Sequence, residues 1–163
     1  MTQQKKLTLI DLNRFEKELD KTKKISILDN KYEVNIHTTF KDSDIEDLLH
    51  DFRTIIEKLS NTQNVELRNV YSIYLTLILR QFTDIPITEE NEIVELIRIS
   101  KVLKNKGITN EVFNEIPQDQ LDYLTQKVKK SSDALNQLLK DTEVENGYTE
   151  PKAVGSDSEK ESS

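Results

Sequence analysis

The run VYSIYLTLILRQFTDIPITEENE, residues 70–92, concentrates aliphatic residues in a chain of which 33% is charged. Its apolar part, Val70 to Leu79, lies between Arg68 and Arg80 and is about half the roughly 20 residues that cross a bilayer. It therefore reads as a core element. Val70, Tyr71, Ile73, Tyr74, Leu75, Leu77, Ile78 and Leu79 surround the helix axis, and a helix apolar on nearly every side is covered by neighbours all round. The spacing predicts the central helix of a bundle over about 66–82. The run then stops at FTDIP, where Pro86 drives Ile85 out of helical geometry. Thr88 is placed to cap a new helix, with Glu89 and Glu90 at its positive amino end.

Upstream, Ile45, Leu48, Leu49, Phe52, Ile55, Ile56 and Leu59 follow the i, i+3, i+4, i+7 pattern of an amphipathic helix over residues 43–59. Ser43 with Glu46 predicts its capping box. Before it the period changes to two. Ile25 and Ile27 alternate with polar residues, as do Tyr32, Val34, Ile36, Thr38 and Phe40, and Asp29-Asn30 between them suit a tight turn. This predicts a β-hairpin over about 24–40, which is marginal alone and must dock on helices or on another chain. Residues 8–20 place Leu12, Phe15 and Leu19 on one stripe behind a Thr8-x-x-Asp11 start, a short amphipathic helix.

Downstream, Ile93, Leu96, Ile97 and Leu103 form the core face of the helix after the break, and Gly107 is placed as its left-handed terminator. Thr109 is expected to cap a short segment bearing Val112, Phe113 and Ile116. Pro117 opens a last helix to about residue 140. Its stripe of Leu121, Leu124, Val128, Ser131 or Ser132, Leu135 and Leu138 suits docking on the bundle, the commoner fate, or pairing with a second copy. From Asp141 the chain is acidic, Ser-rich and poor in aliphatics, which predicts a disordered tail. The fold expected is mainly α: an N-terminal arm with a short helix over 1–23, a hairpin plus helical-bundle domain over 24–140, and the acidic tail over 141–163.

Three glycines and three prolines in 163 residues are few for an all-β fold. The formal charge is −7, and the segment from Asp141, with seven acids against two lysines, holds −5 of it. The overall charge disfavours nucleic acid as a ligand, while a body near −2 could hold a local basic patch. Lys21, Lys23 and Lys24, then Lys127, Lys129 and Lys130, are the local basic clusters, and both read better as solvated faces. The chain has no cysteine, which excludes disulfides and thiolate catalysis and fits a reducing compartment. The stretch MTQQKKLTLIDLNRFEKEL lacks the 7 to 15 apolar residues or so of a signal peptide, so secretion by that route is not expected.

Candidate chemistry is sparse. His37 occupies a strand position expected to face solvent, and His50 lies off the apolar stripe of its helix; neither has the spaced companion of a helical zinc motif. Asp42 with Asp44, Glu46 with Asp47 and Glu89 with Glu90 crowd predicted helix starts, where the helix dipole favours negative charge. DSDIED lacks the Gly and Glu of a calcium loop, and no phosphate-binding or nucleophile-elbow string occurs. No catalytic, cofactor-binding or metal-binding residue is assigned, no cofactor is expected, and an enzyme is not indicated.

The order of hairpin, DLLHDFRTIIEKL helix, apolar helix ending in QFTDIPI, a further helix, then EVFNEIPQDQLDYL after Gly107 resembles the tail assembly chaperones of long-tailed bacteriophages of Gram-positive bacteria. Phe82, Thr83, Pro86, Gly107, Val112 and Phe113 carry the likeness, over about residues 24–140. The chain departs from that pattern in a less basic TTFKDSD and in Ile108-Thr109 after Gly107. The resemblance implies a non-enzymatic protein of the host cytoplasm that coats the tape measure protein before the tube polymerises around it. It further implies recruitment of tail tube protein, absence from the mature virion and, in many relatives, a longer frameshifted form. No partner-contacting residue carries over. The alternative reading is a small helical phage or bacterial regulator acting through dimerisation or on nucleic acid.

Overall fold

Two-residue alternation makes strands and 3.6-residue alternation makes helices in the order the sequence predicts, with boundaries set by caps. The computed structural model describes residues 3–61 and 66–145, with side chains except those of Leu67 and 134–145. Helix α1 spans Leu9–Leu19, strands β1 and β2 span Thr22–Ile27 and Tyr32–His37, and helices α2 to α6 span Asp42–Ser60, Leu67–Phe82, Ile93–Asn105, Ile108–Glu115 and Gln118–Glu145. The fold is mainly α with one antiparallel hairpin. The described residues up to Val128 form one compact unit, and those from Lys129 to Glu145, the later turns of α6, belong to another. The tail expected from 141 is thus helical to Glu145, and 146–163 lie outside the described residues.

The core of the first unit packs α3 against α2 and α4, α5 against α4, and the hairpin against α5. Ile73, Leu77, Ile78, Leu79 and Phe82 are buried on α3, facing Ile45, Leu48 and Ile55 of α2 and Leu96 of α4 in the same cluster. Each such side chain contributes about 1.5–3 kcal/mol of transfer free energy. Enclosure all round holds only for the C-terminal half of α3. Tyr71 is 63% exposed, and Val70, Tyr74 and Leu75 are only partly covered. Ile56 of α2 likewise reaches solvent, at the edge of its stripe.

FTDIP stops α3 by joining it to the sheet. Phe82 stacks on Phe40 at 3.7 Å between centroids and 9° between planes, pinning the end of α3 under the loop that follows β2. The Thr83 hydroxyl donates to the Leu79 carbonyl at 2.5 Å and accepts the Ile85 N–H at 3.2 Å, so one side chain closes the helix and turns the chain. Thr83 then bridges Ile36 on the outer edge of β2. Asp84 completes the seam: its carboxylate accepts the Asn35 N–H at 2.8 Å and Nδ2 at 2.7 Å, and its own N–H donates to Asn35 O at 3.2 Å. Pro86 has no N–H for a longer ladder, and the added strand ends there.

Beyond the break, α4 begins at Ile93 with Glu92 as N-cap and no side-chain cap. Thr88 does not cap it; its hydroxyl accepts the Glu90 N–H within a turn. The delay is explained by Arg80, whose side chain is 10% exposed and whose guanidinium donates to Asp51 Oδ2 (2.8 Å), Asn91 Oδ1 (3.1 Å) and Thr88 O (3.1 Å). Asn91 Nδ2 closes the ring on Asp51 Oδ1 at 3.0 Å. Residues 88–91 are therefore held as loop over α2 and α3. The Ser43–Glu46 capping box does not form either: α2 starts at Asp42 with Lys41 as N-cap, and Asp42 and Asp44 occupy its first turn. Thr109 lies inside α5, whose N-cap is Gly107 at φ 77°. A Cβ on Gly107 would meet nothing within 4 Å, so the glycine serves conformation and not space.

The hairpin pairs Thr22 with His37 through Ile27 with Tyr32. Its turn takes three left-handed residues, Leu28, Asp29 and Asn30, at φ 52°, 57° and 62°, one more than the Asp29-Asn30 pair predicts. The Leu28 N–H donates to the Glu111 carboxylate at 2.9 Å, which ties the turn to α5 and holds the bulky residue in that conformation. Ile25, Ile27, Val34 and Ile36 face the core as alternation requires, but Tyr32 is 61% exposed, beyond the reach of the helices. His37 is half-buried, not solvent-facing, and its Nδ1 is enclosed without a hydrogen-bond partner.

Candidate partner-binding surface

Helix α1 combines a well-made start with an uncovered apolar face. Thr8 Oγ1 accepts the Asp11 N–H at 3.3 Å, and the Asp11 carboxylate accepts the Thr8 N–H at 3.1 Å and hydroxyl at 2.7 Å, a complete capping box. The Thr8 hydroxyl first, then its N–H, holds the Asp11 carboxyl below the usual carboxylate range. At helical spacing this start aligns Leu12, Phe15 and Leu19 as predicted, yet they are 48%, 40% and 42% exposed. Arg14 lies over the Phe15 ring at 5.3 Å, held by Asp11 at 3.3 Å and Glu18 at 3.9 Å.

Two concavities that share Leu19 and Lys41 flank the stripe. One, of about 470 Å³, lies along Leu12, Phe15, Glu16, Leu19 and Asp20. The other, of about 560 Å³, continues past Phe40 and Asp42 to Gln120 and Tyr123. Their junction is built by ion pairs. Lys41 Nζ reaches Asp20 Oδ1 at 2.8 Å and Asp44 Oδ2 at 3.6 Å, anchoring the C-terminal end of α1 at the start of α2. Asp42 Oδ1 accepts the Tyr123 hydroxyl at 2.5 Å and pairs with Lys127 at 3.3 Å, anchoring α6. Gln120 Oε1 accepts the Phe40 N–H at 2.7 Å. The donated Lys41 bond holds the Asp20 carboxyl low and raises the Lys41 ammonium; the Tyr123 hydroxyl, then Lys127, holds Asp42 low.

A separate cleft of about 720 Å³ lies under the hairpin tip, lined by Tyr32, Val34, Ile85, Pro86, Ile108 and Lys106 among others. Of the basic clusters, Lys23 pairs with Glu115 at 2.8 Å and Lys24 with Glu33 at 3.2 Å, while Lys127 is taken by Asp42. His50 is exposed on α2. Among the described residues no three His, Asp or Glu side chains are grouped as metal ligands, and no helix is long and apolar enough to cross a membrane. The α1 stripe was legible in the sequence, but its exposure was not; nor was the Arg80 ring, for which Asp51 and Asn91 carry no local signal.

A family model described as YomO matches residues 9–161, from the first residue of α1 onward. The chain belongs to the YomO family. It is a phage-related protein. No curated protein and no solved structure matches it. The YomO match takes in α1 with the hairpin and α2 to α6, so the uncovered stripe lies inside the family's own span.

Proposed function

We propose that this YomO-family protein is a tail assembly chaperone: it binds the tape measure protein of its phage, keeps it soluble, and helps recruit tail tube subunits during tail morphogenesis, without enzymatic chemistry. The observation that carries the reading is the α1 stripe of Leu12, Phe15 and Leu19, aligned on one helix face and left 40–48% exposed. An uncovered apolar helix face is a liability unless another polypeptide occupies it, and amphipathic grooves receive helices through anchors at i, i+3, i+4 and i+7. A tape measure chain is long and rich in apolar helix, which aggregates unless masked. In this reading the protein works in the host cytoplasm, leaves before the tail is complete, and needs neither membrane nor nucleic acid.

Co-expression with the tape measure protein of the same phage tests it. The expected result is a soluble tape measure protein that co-purifies with this chain, and loss of both when Leu12, Phe15 and Leu19 are changed together to Ser. An insoluble tape measure protein with no co-purification overturns the proposal.

A further inference from the structure

We propose that the groove between α1 and the start of α2 is a docking site for a basic amphipathic helix, one with lysines or arginines flanking its apolar stripe. This rests on the reading of the protein as a polypeptide-binding chaperone and adds the chemistry of what it grips. The floor is apolar: Leu12, Phe15 and Leu19, then Tyr123 beyond Lys41. From Leu12 to Leu19 the helix rises about 10 Å, which suits three anchors on a partner helix.

The rim decides the occupant's charge. It carries Glu16, Asp20, Asp42 and Asp44 against Lys41, Lys127 and Arg14, the last lying over the Phe15 ring and held by Asp11 and Glu18. Both lysines are already committed, to Asp20 and Asp44 and to Asp42. The acids retain capacity. Glu16 has no ion pair among the described residues, and Asp20 and Asp42 each engage their partners through Oδ1 alone. A carboxylate accepts at both oxygens, and a charge-assisted bond is about twice as strong as a neutral one. Lysines beside the partner's stripe therefore find open acceptors, whereas acids would have to displace existing pairs. The same charge argues against a second copy, whose own Glu16 and Asp20 would enter the groove, and against this chain's acidic segment after Asp141.

The test uses the full chain and two fluorescently labelled synthetic helices of about five turns with the same leucine stripe, one flanked by lysines and the other by glutamates. Anisotropy titrations at low salt are expected to show the lysine helix binding at least about tenfold more tightly, with the preference shrinking as salt rises. Glu16→Lys, on an exposed position outside the core, is expected to lower that preference, and Leu12→Ser with Phe15→Ser to remove binding, with circular dichroism unchanged. Equal or tighter binding of the glutamate helix overturns the proposal, as does lysine-helix binding that these substitutions leave intact. If neither helix binds while tape measure co-purification persists, the docking assignment fails and the chaperone reading stands; loss of co-purification with groove binding retained fails the reading alone.

Discussion

Thr83 shows how much one residue settles. Its hydroxyl closes α3 on Leu79, its backbone starts the seam on β2, and Phe82 before it fills the space under Phe40. Truncating Phe82 to Ala should destabilise the fold by about 3–5 kcal/mol, since it empties a fully enclosed site with little room to collapse; urea titration with an unchanged m-value measures this. Gly107 is a second such position. Because its φ is 77° and no atom crowds its Cβ site, Gly107→Ala should cost about 1–2 kcal/mol from conformation alone. A substitution without effect would mean the α4–α5 corner relaxes. FTDIP and Gly107 were readable as a break and a terminator, because proline and glycine act through their own backbones. The Phe40 stack was not, because it joins residues far apart in the chain.

At the scale of elements, junctions hold where the sequence offered only periodicity. The Arg80 ring joins α2, α3 and the 88–91 loop through Asp51, Asn91 and the Thr88 carbonyl. Arg80→Ala takes the cation from a half-buried Asp51 and leaves it, among the described residues, the Asn91 amide, and should cost about 3 kcal/mol; thermal unfolding reads it. Helix α1 depends on its capping box. The Asp11 carboxyl lies lower in the folded chain than when free, so its support for α1 is present above the ordinary carboxylate value of 3.8 and is lost as pH falls through the depressed one. Amide exchange at the first turn of α1 should accordingly speed up only below about pH 4, and Asp11→Asn should remove that dependence. Thr8→Ala should loosen the same turn by about 1 kcal/mol. Three predicted caps, at Ser43, Thr88 and Thr109, went to other residues. A cap is a competition among neighbours: tertiary contacts at Asp42 and the Arg80 ring settled the first two, and the left-handed backbone of Gly107 settled the third.

For the whole molecule, the closed core and the open α1 face belong together. A body held by α2, α3 and α4 can keep Leu12, Phe15 and Leu19 facing outward without losing its own stability. Changing all three to Ser should leave the melting temperature within a few degrees while abolishing tape measure co-purification, a split that calorimetry and pull-down together resolve. If the stripe instead mattered to folding, the triple variant would unfold with the loss of several buried side chains' worth of free energy, about 1.5–3 kcal/mol each.

The sequence by itself determined the kind and order of the elements. Alternation of period two or 3.6, Pro86, Gly107 and the Thr8–Asp11 pair are local signals, and each appears in the chain within one turn or one strand of where it acts. Only the tertiary structure decided which apolar faces are covered, that Tyr71 and the α1 stripe remain open, and that Lys41 and Asp42 set acids beside that stripe. Periodicity states that a face is apolar; whether another face meets it depends on chain segments that no local spacing relates.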